Sequence, residues 1–178
     1  MPKVVDREAY RKELASKAVE VFAEHGFNGL GMRGIAEALG VSKSALYHYF
    51  SSKEALFKAS TEQVLEPHEL YGVEEGAPLP EDKEQALLQI ITTLDSRFLG
   101  EMTVVLDYIK NRDNEDIAND ELLKMADSAF LQEISHIVGE HNAQQAYALL
   151  MGGLMSRLLN GKQTPIEEIV AWILNLPK

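Results

Sequence analysis

The chain has no cysteine, a single tryptophan, and aromatic residues at only 7%. Without thiols it has no disulfides, no thiolate metal ligands and no cysteine nucleophile, a composition suited to a reducing compartment. Long apolar runs are also missing. The longest, Ala146 to Met155, falls well short of the roughly 18 residues that a membrane-spanning helix needs. The opening MPKVVDREAYRKE lacks the apolar stretch of a secretory signal, so we expect a soluble, cytoplasmic protein with no membrane partner. The five histidines (His25, His48, His68, His136 and His141) form no pair at a spacing of three or four. There is no H-E-x-x-H, no phosphate-cradling glycine loop and no nucleophile set beside a base, so we expect no enzyme, no metal and no cofactor.

What is present is 46% hydrophobic residues in a chain of 178, enough for one sizeable core or a small module docked on a larger one. Charge is divided unevenly. Residues 1–58 carry nine Lys and Arg against seven acids, a net of +2, whereas residues 59–178 carry a net of −13. An overall charge of −11 argues against indiscriminate polyanion binding, yet a local basic face can still meet phosphate while the acidic remainder holds other surfaces off.

The periodicity is helical throughout, with no credible strand and no internal repeat. A first helix is expected from Asp6 to about His25, capped by Asp6, carrying Tyr10, Leu14, Ala18, Val21 and Phe22 on one face, and ended by Gly26. Met32, Ile35, Ala36 and Leu39 form a two-turn stripe that Gly40 breaks. Ser42 caps the next helix, whose inward positions are Leu46 and Phe50. Ser51 with Glu54 matches a capping box for a fourth helix that continues to about Pro67. The segment from Gly72 to Pro80, rich in Gly, Pro and acids, is a loop. Beyond it, helical stripes recur at Leu87, Ile91, Leu94 and Phe98, at Met102 to Ile109, and at Leu123, Ala126, Phe130, Ile134 and Ile137.

Near the end, Asn142 to Asn160 is apolar around much of its circumference, and Pro165 opens a helix containing Ile169-Val170-Ala171-Trp172-Ile173-Leu174. Such helices need burial on two sides, one against their own domain and one against something else. A second copy is the economical partner. We expect a homodimer joined as a four-helix bundle through Leu150, Gly153, Leu154, Arg157, Ile169, Trp172 and Ile173, with Gly152 and Gly153 permitting close approach.

The stretch Ile35 to Phe57, IAEALGVSKSALYHYFSSKEALF, reads as a tight two-helix corner followed by a capped helix. The second helix of the corner keeps few core residues and leaves Ser42, Lys43, Ser44, Tyr47 and His48 outside, which suits insertion into a groove of DNA. Together with Phe22 through Gly26-Phe27, Gly40-Val41-Ser42-Lys43, Leu46-Tyr47-His48-Tyr49-Phe50, Lys53-Glu54 and Leu56-Phe57, this segment resembles the tetracycline-repressor-like (TetR) family of bacterial regulators. The resemblance covers about Ala18 to Phe57. It implies an all-α homodimer of about nine helices: an N-terminal helix-turn-helix module in residues 1–50, and a ligand-binding and dimerising domain in residues 51–178. Three positions depart from the family pattern. Gly31 stands where a threonine often contacts phosphate, Ser44-Ala45 replaces the usual Gly-Thr-like pair, and Ser51 replaces a residue that is commonly basic.

The function implied is a sequence-specific regulator, in most cases a repressor released from a double-stranded operator by a small-molecule effector. The alternative is a relative that has lost DNA binding and acts as a binding module. Expected DNA contacts are Arg33, Ser42, Lys43, Ser44, Ala45, Tyr47, His48 and Lys53, with Lys3 and Arg7 as further phosphate candidates. Lys53 is placed in a first helical turn, where its charge and the free amides would hold one phosphate together. Two carboxylates on apolar stripes, Asp95 and Asp127, are costly unless partnered. With Phe98, Met102, Tyr108 and Phe130 they are the candidates for an effector pocket; a local Arg or Lys is the alternative partner of the two acids.

Overall fold

The computed structural model describes residues 6–177. Among them lie helices and no strand: α1 (Arg7–Gly29), α2 (Met32–Ala38), α3 (Lys43–Tyr49), α4 (Lys53–Val64), α5 (Pro67–Tyr71), α6 (Lys83–Ile109), α7 (Asn114–Asn119), α8 (Glu121–Val138), α9 (Glu140–Leu159) and α10 (Ile166–Leu174). The all-α class is as expected. The short α5 and α7 are additions too brief for hydrophobic periodicity to register. Among the described residues, no helix is long and apolar enough to cross a membrane. Lys3 lies outside the described residues.

Packing divides the chain into two compact units. The first is the described part of Met1–Val64 with Gly100–Leu122, and the second is Leu65–Leu99 with the described part of Leu123–Lys178. These are units of packing.

In the first unit, Asp6 caps α1 by accepting the Glu8 and Ala9 amides at 3.0 and 3.4 Å. Leu14, Ala15, Ala18 and Phe22 line its buried face, and α4 packs along it. Gly26, at φ +72°, breaks the helix and turns Phe27 inward, a conformation that a Cβ would strain. Phe27 joins an aromatic core in which its ring lies 5.0 Å from Phe57 and 4.8 Å from Tyr108. Leu46 and Phe50 are buried with Ile35 and Ala36, so α3 is anchored by two side chains of the kind expected.

One local expectation is corrected. Ser52, and not Ser51, caps α4: its Oγ accepts the Ala55 amide at 3.1 Å, which puts Glu54 one position short of a box partner. Two adjacent serines offer the same hydroxyl, and the turn after Phe50 decides between them.

In the second unit, Leu87, Ile91 and Leu94 of α6, Ile134 of α8, Leu150 and Leu154 of α9, and Ile169 and Ile173 of α10 are all buried. Gly153 is the contact point of α9 with α10. A Cβ there would meet Ile169 Cδ1 at 2.7 Å. The guanidinium of Arg157 is buried against Asp95, with Nε to Oδ1 at 3.0 Å and Nη2 to Oδ2 at 3.2 Å, and Lys162 adds a bond to Oδ2 at 2.8 Å. Arg157 also donates to the carbonyl of Thr164 in the loop between α9 and α10.

This packing engages most of the residues expected at a dimer face. Leu150, Gly153, Leu154, Arg157, Ile169 and Ile173 are buried inside their own unit, and of the seven residues named only Trp172, at 38%, is exposed. The opposite side of the same helices lies outside: Gly152 has open space around it, Leu159 is 79% exposed and Leu174 is also exposed. A helix that is apolar all round carries no pattern to say which side meets its own domain.

Candidate nucleic-acid interface

α3 is seven residues long and is positioned by what precedes it. Gly40, at φ +69°, makes the turn from α2, and the Ser42 Oγ accepts the Ala45 amide at 3.1 Å, satisfying one of the free donors of the helix start. The same hydroxyl pairs with Ser44 Oγ at 3.1 Å. With Leu46 and Phe50 turned into the core, the helix leaves Lys43, Ser44, Tyr47 and His48 outside and Ala45 half-buried. Tyr47 is 44% exposed, high for an aromatic ring, and the Lys43 ammonium lies 5.6 Å from its centroid. The His48 ring stands edge-on to Tyr49 at 5.1 Å, and Tyr49 meets Tyr10 of α1 at 5.3 Å, so the far end of α3 is braced against the first helix.

The mouth of the corner is an open depression of about 420 Å³ lined by Arg33, Ala36, Glu37, Val41, Ser42 and Lys43. Arg33 bonds to Glu37 at 3.1 Å across one helical turn, with both side chains largely in water, where such a pair contributes little and exchanges readily for a better anion. The structure thus brings Arg33, Ser42, Lys43, Ser44, Tyr47 and His48 to one corner of the first unit. Gly31 opens α2 with no side-chain cap, as its lack of a hydroxyl requires.

Lys53 has partners within the protein. Its ammonium lies 4.3 Å from the Phe27 centroid and 3.4 Å from the Leu30 carbonyl, tucked beneath the turn between α1 and α2 instead of projecting from the start of α4. Cation–π attraction and a carbonyl acceptor offset the unfavourable helix dipole at this position.

Residues 14–60 match the family described as "Bacterial regulatory proteins, tetR family". Those residues are a TetR-family segment. In sequence the chain is similar to "HTH-type transcriptional regulator RutR" of Escherichia coli (strain K12), 38% identical over 91 residues that cover 49% of this chain and 42% of RutR. The chain therefore aligns with less than half the length of that relative. In three dimensions it is similar to a TetR-family member from Streptomyces coelicolor A3, with a TM-score of 0.64 at 18% identity over 97% of this chain and 99% of that one. It is also similar to the multidrug binding protein EbrR complexed with proflavin, with a TM-score of 0.59 at 18% identity over 94% and 99% of the two chains. At such identities these two likenesses show a shared TetR-type fold.

The residues expected to line an effector pocket fall in both units. Met102 and Tyr108 belong to the first unit, and Asp95, Phe98, Asp127 and Phe130 to the second. Tyr108 is committed elsewhere: its hydroxyl donates to Asp120 at 2.8 Å and the Arg112 guanidinium covers its ring at 4.0 Å. Burial and the bond to Asp120 push this phenol up to about 12. Asp95 is partnered within the protein. Its carboxylate, 12% exposed, already holds Arg157 and Lys162, so the cation it receives is the protein's own. Phe98 is buried, Phe130 stacks on Tyr147 at 5.8 Å, and Asp127 is exposed.

Sequence reasoning missed Asp107, which holds the turn between α1 and α2. Its Oδ2 accepts the Asn28 amide at 2.6 Å, and the Asn28 side chain donates to the Asp107 carbonyl at 2.7 Å. The available signal was an acid among the apolar residues from Met102 to Ile109, which demands a partner just as Asp95 does.

Proposed function

We propose that this chain is a sequence-specific, DNA-binding transcriptional repressor that works as a homodimer and is released from its operator by a small-molecule effector. The carrying observation is the outward side of α3: a helix pinned by Leu46 and Phe50 that leaves Lys43, Ser44, Tyr47 and His48 undesolvated by its own protein. A major groove supplies the missing surface. In this reading Tyr47, His48, Ser44 and Ala45 meet base edges or sugars, while Arg33, Lys43, the Ser42 hydroxyl and Arg7 face phosphates. RutR, named as a transcriptional regulator, supports this role for the region it shares.

Residues 1–50 then read DNA, and residues 51–178 dimerise and bind the effector. Dimerisation places two α3 helices on consecutive major-groove faces, about 34 Å apart. Gly152, Leu159, Trp172 and Leu174, with the half-buried Met151 and Met155, form the apolar side of α9 and α10 that a second copy would cover. The structure of EbrR with proflavin supports a small molecule as the class of effector. An effector lowers operator occupancy to the extent that it binds better to the spacing that does not fit DNA.

Enrichment from a pool of random duplexes, followed by binding of the selected duplex against a scrambled one, tests the reading. Enrichment of an inverted repeat with half-sites one helical turn apart supports it. A pool that stays random overturns it.

A further inference from the structure

Asp107 stands far along the chain from the helix-turn-helix, yet it lies in the same packing unit. We infer that Asp107 is a positioning residue for DNA reading: it clasps the turn from which α2 and α3 hang. This rests on the proposal that α3 reads DNA.

The clasp is built at the point where α1 breaks. Gly26 leaves the helical path, and a helix broken there needs acceptors for the backbone amides that follow. The Asp107 carboxylate supplies one at 2.6 Å. The Asn28 side chain returns a second bond to the Asp107 main-chain carbonyl at 2.7 Å, which makes the contact two-pronged and fixes its orientation. Lys110 holds the other carboxylate oxygen at 2.6 Å and keeps the acceptor charged, and a charged acceptor makes a stronger bond than a neutral one. The approach is close: a Cβ on Gly26 would lie 3.0 Å from Asp107 Oδ2. Two residues beyond Asn28, the Leu30 carbonyl takes Lys53 from the other side. The turn is therefore held from α6 by Asp107 and from α4 by Lys53, and the next residue, Gly31, opens α2. A loosened turn tilts α2 and α3 together.

The sign of the effect separates positioning from charge. Removing an acid from the DNA-reading unit should, by electrostatics alone, strengthen binding to a polyanion. Loss of a positioning group weakens binding to the selected duplex and leaves the salt slope unchanged, because no phosphate contact is removed.

The experiment measures binding of the full-length protein to its selected duplex across a salt series for wild type, Asp107→Ala, Asp107→Asn and Asp107→Glu, with hydrogen exchange read at the Asn28 amide. The expected result is roughly tenfold weaker binding for Asp107→Ala, the loss of one charge-assisted bond. Asp107→Asn keeps an acceptor on the same stem and recovers most of the affinity. Asp107→Glu keeps the charge but displaces its oxygens by a methylene, and binds less well than Asp107→Asn. Exchange at Asn28 accelerates in the alanine variant while the α4 amides stay protected. Equal strengthening in the alanine and asparagine variants, or wild-type binding by Asp107→Ala, overturns the inference while the DNA-reading proposal stands. If Asp107→Ala does not fold, the order of the asparagine and glutamate variants decides. A wild-type protein that selects no duplex removes the proposal and the inference together.

Discussion

Arg157 closes on Asp95 through two contacts, 3.0 and 3.2 Å long, joining residues 62 positions apart in the second unit. Arg157 is the last basic residue of α9, and its further bond to Thr164 ties in the loop that leads to α10, so the pair sets how the hairpin of α9 and α10 lies on α6. The hydrogen bonds from Arg157 hold the Asp95 carboxyl below its ordinary value, against the opposing effect of burial, and Lys162 adds to the lowering.

Asp95→Ala is expected to destabilise the chain by about 3 kcal/mol, because it leaves a buried guanidinium with one partner fewer. The pH dependence follows from the lowered carboxyl. Asp95 stays charged in the folded protein at pH values where it would be protonated in the unfolded chain. Its contribution is therefore complete above the unfolded value near 3.9 and is lost as pH falls through the lower folded value. Urea unfolding at pH 7 and pH 3 should show the gap between wild type and Asp95→Asn closing in acid. A gap that persists unchanged at pH 3 contradicts the assignment.

The two adjacent glycines of α9 are expected to behave oppositely. Gly153→Ala drives a methyl into Ile169 and should cost about 1–3 kcal/mol, measured by thermal or urea unfolding. Gly152→Ala meets open space and should stabilise α9 by up to about 1 kcal/mol. If the outward face carries the dimer, the same Gly152→Ala weakens self-association in sedimentation while stabilising the chain. Destabilisation of the fold by Gly152→Ala and tolerance at Gly153 would reverse the assignment of faces.

Lys53→Ala should lower stability by about 1 kcal/mol, the loss of a partly desolvated cation–π contact and one carbonyl bond. Its salt slope on DNA should stay near wild type, in contrast to Lys43→Ala, which is expected to flatten the slope by about 0.9 and to weaken all duplexes alike. A flattened slope for Lys53→Ala with unchanged stability would return Lys53 to the phosphate contacts.

What was legible in the sequence was local. Asp6, Gly26, Gly40 and Ser42 act through their own backbone neighbourhood, and Leu46 and Phe50 recur at helical spacing, so both the corner and its buried side could be read directly. Tertiary choices were not legible. Ser51 and Ser52 offer equivalent caps, and α9 and α10 are apolar on both sides, so nothing local distinguishes Leu150 and Leu154 from Met151 and Leu159. The pairings of Asp95 with Arg157 and of Asp107 with Asn28 span 62 and 79 positions. Each acid showed in the sequence as an anomaly on an apolar stripe, which demands a partner without naming it.

The most direct measurement of the central claim, that the outward side of α3 reads DNA, is the sequence preference of Tyr47→Ala and Ser44→Ala beside wild type in selection from random duplexes. The expected result is an enriched inverted repeat for wild type whose preferred bases change or relax in these variants while the salt slope is retained. Identical preferences in all three proteins, or no enrichment by wild type, would contradict it.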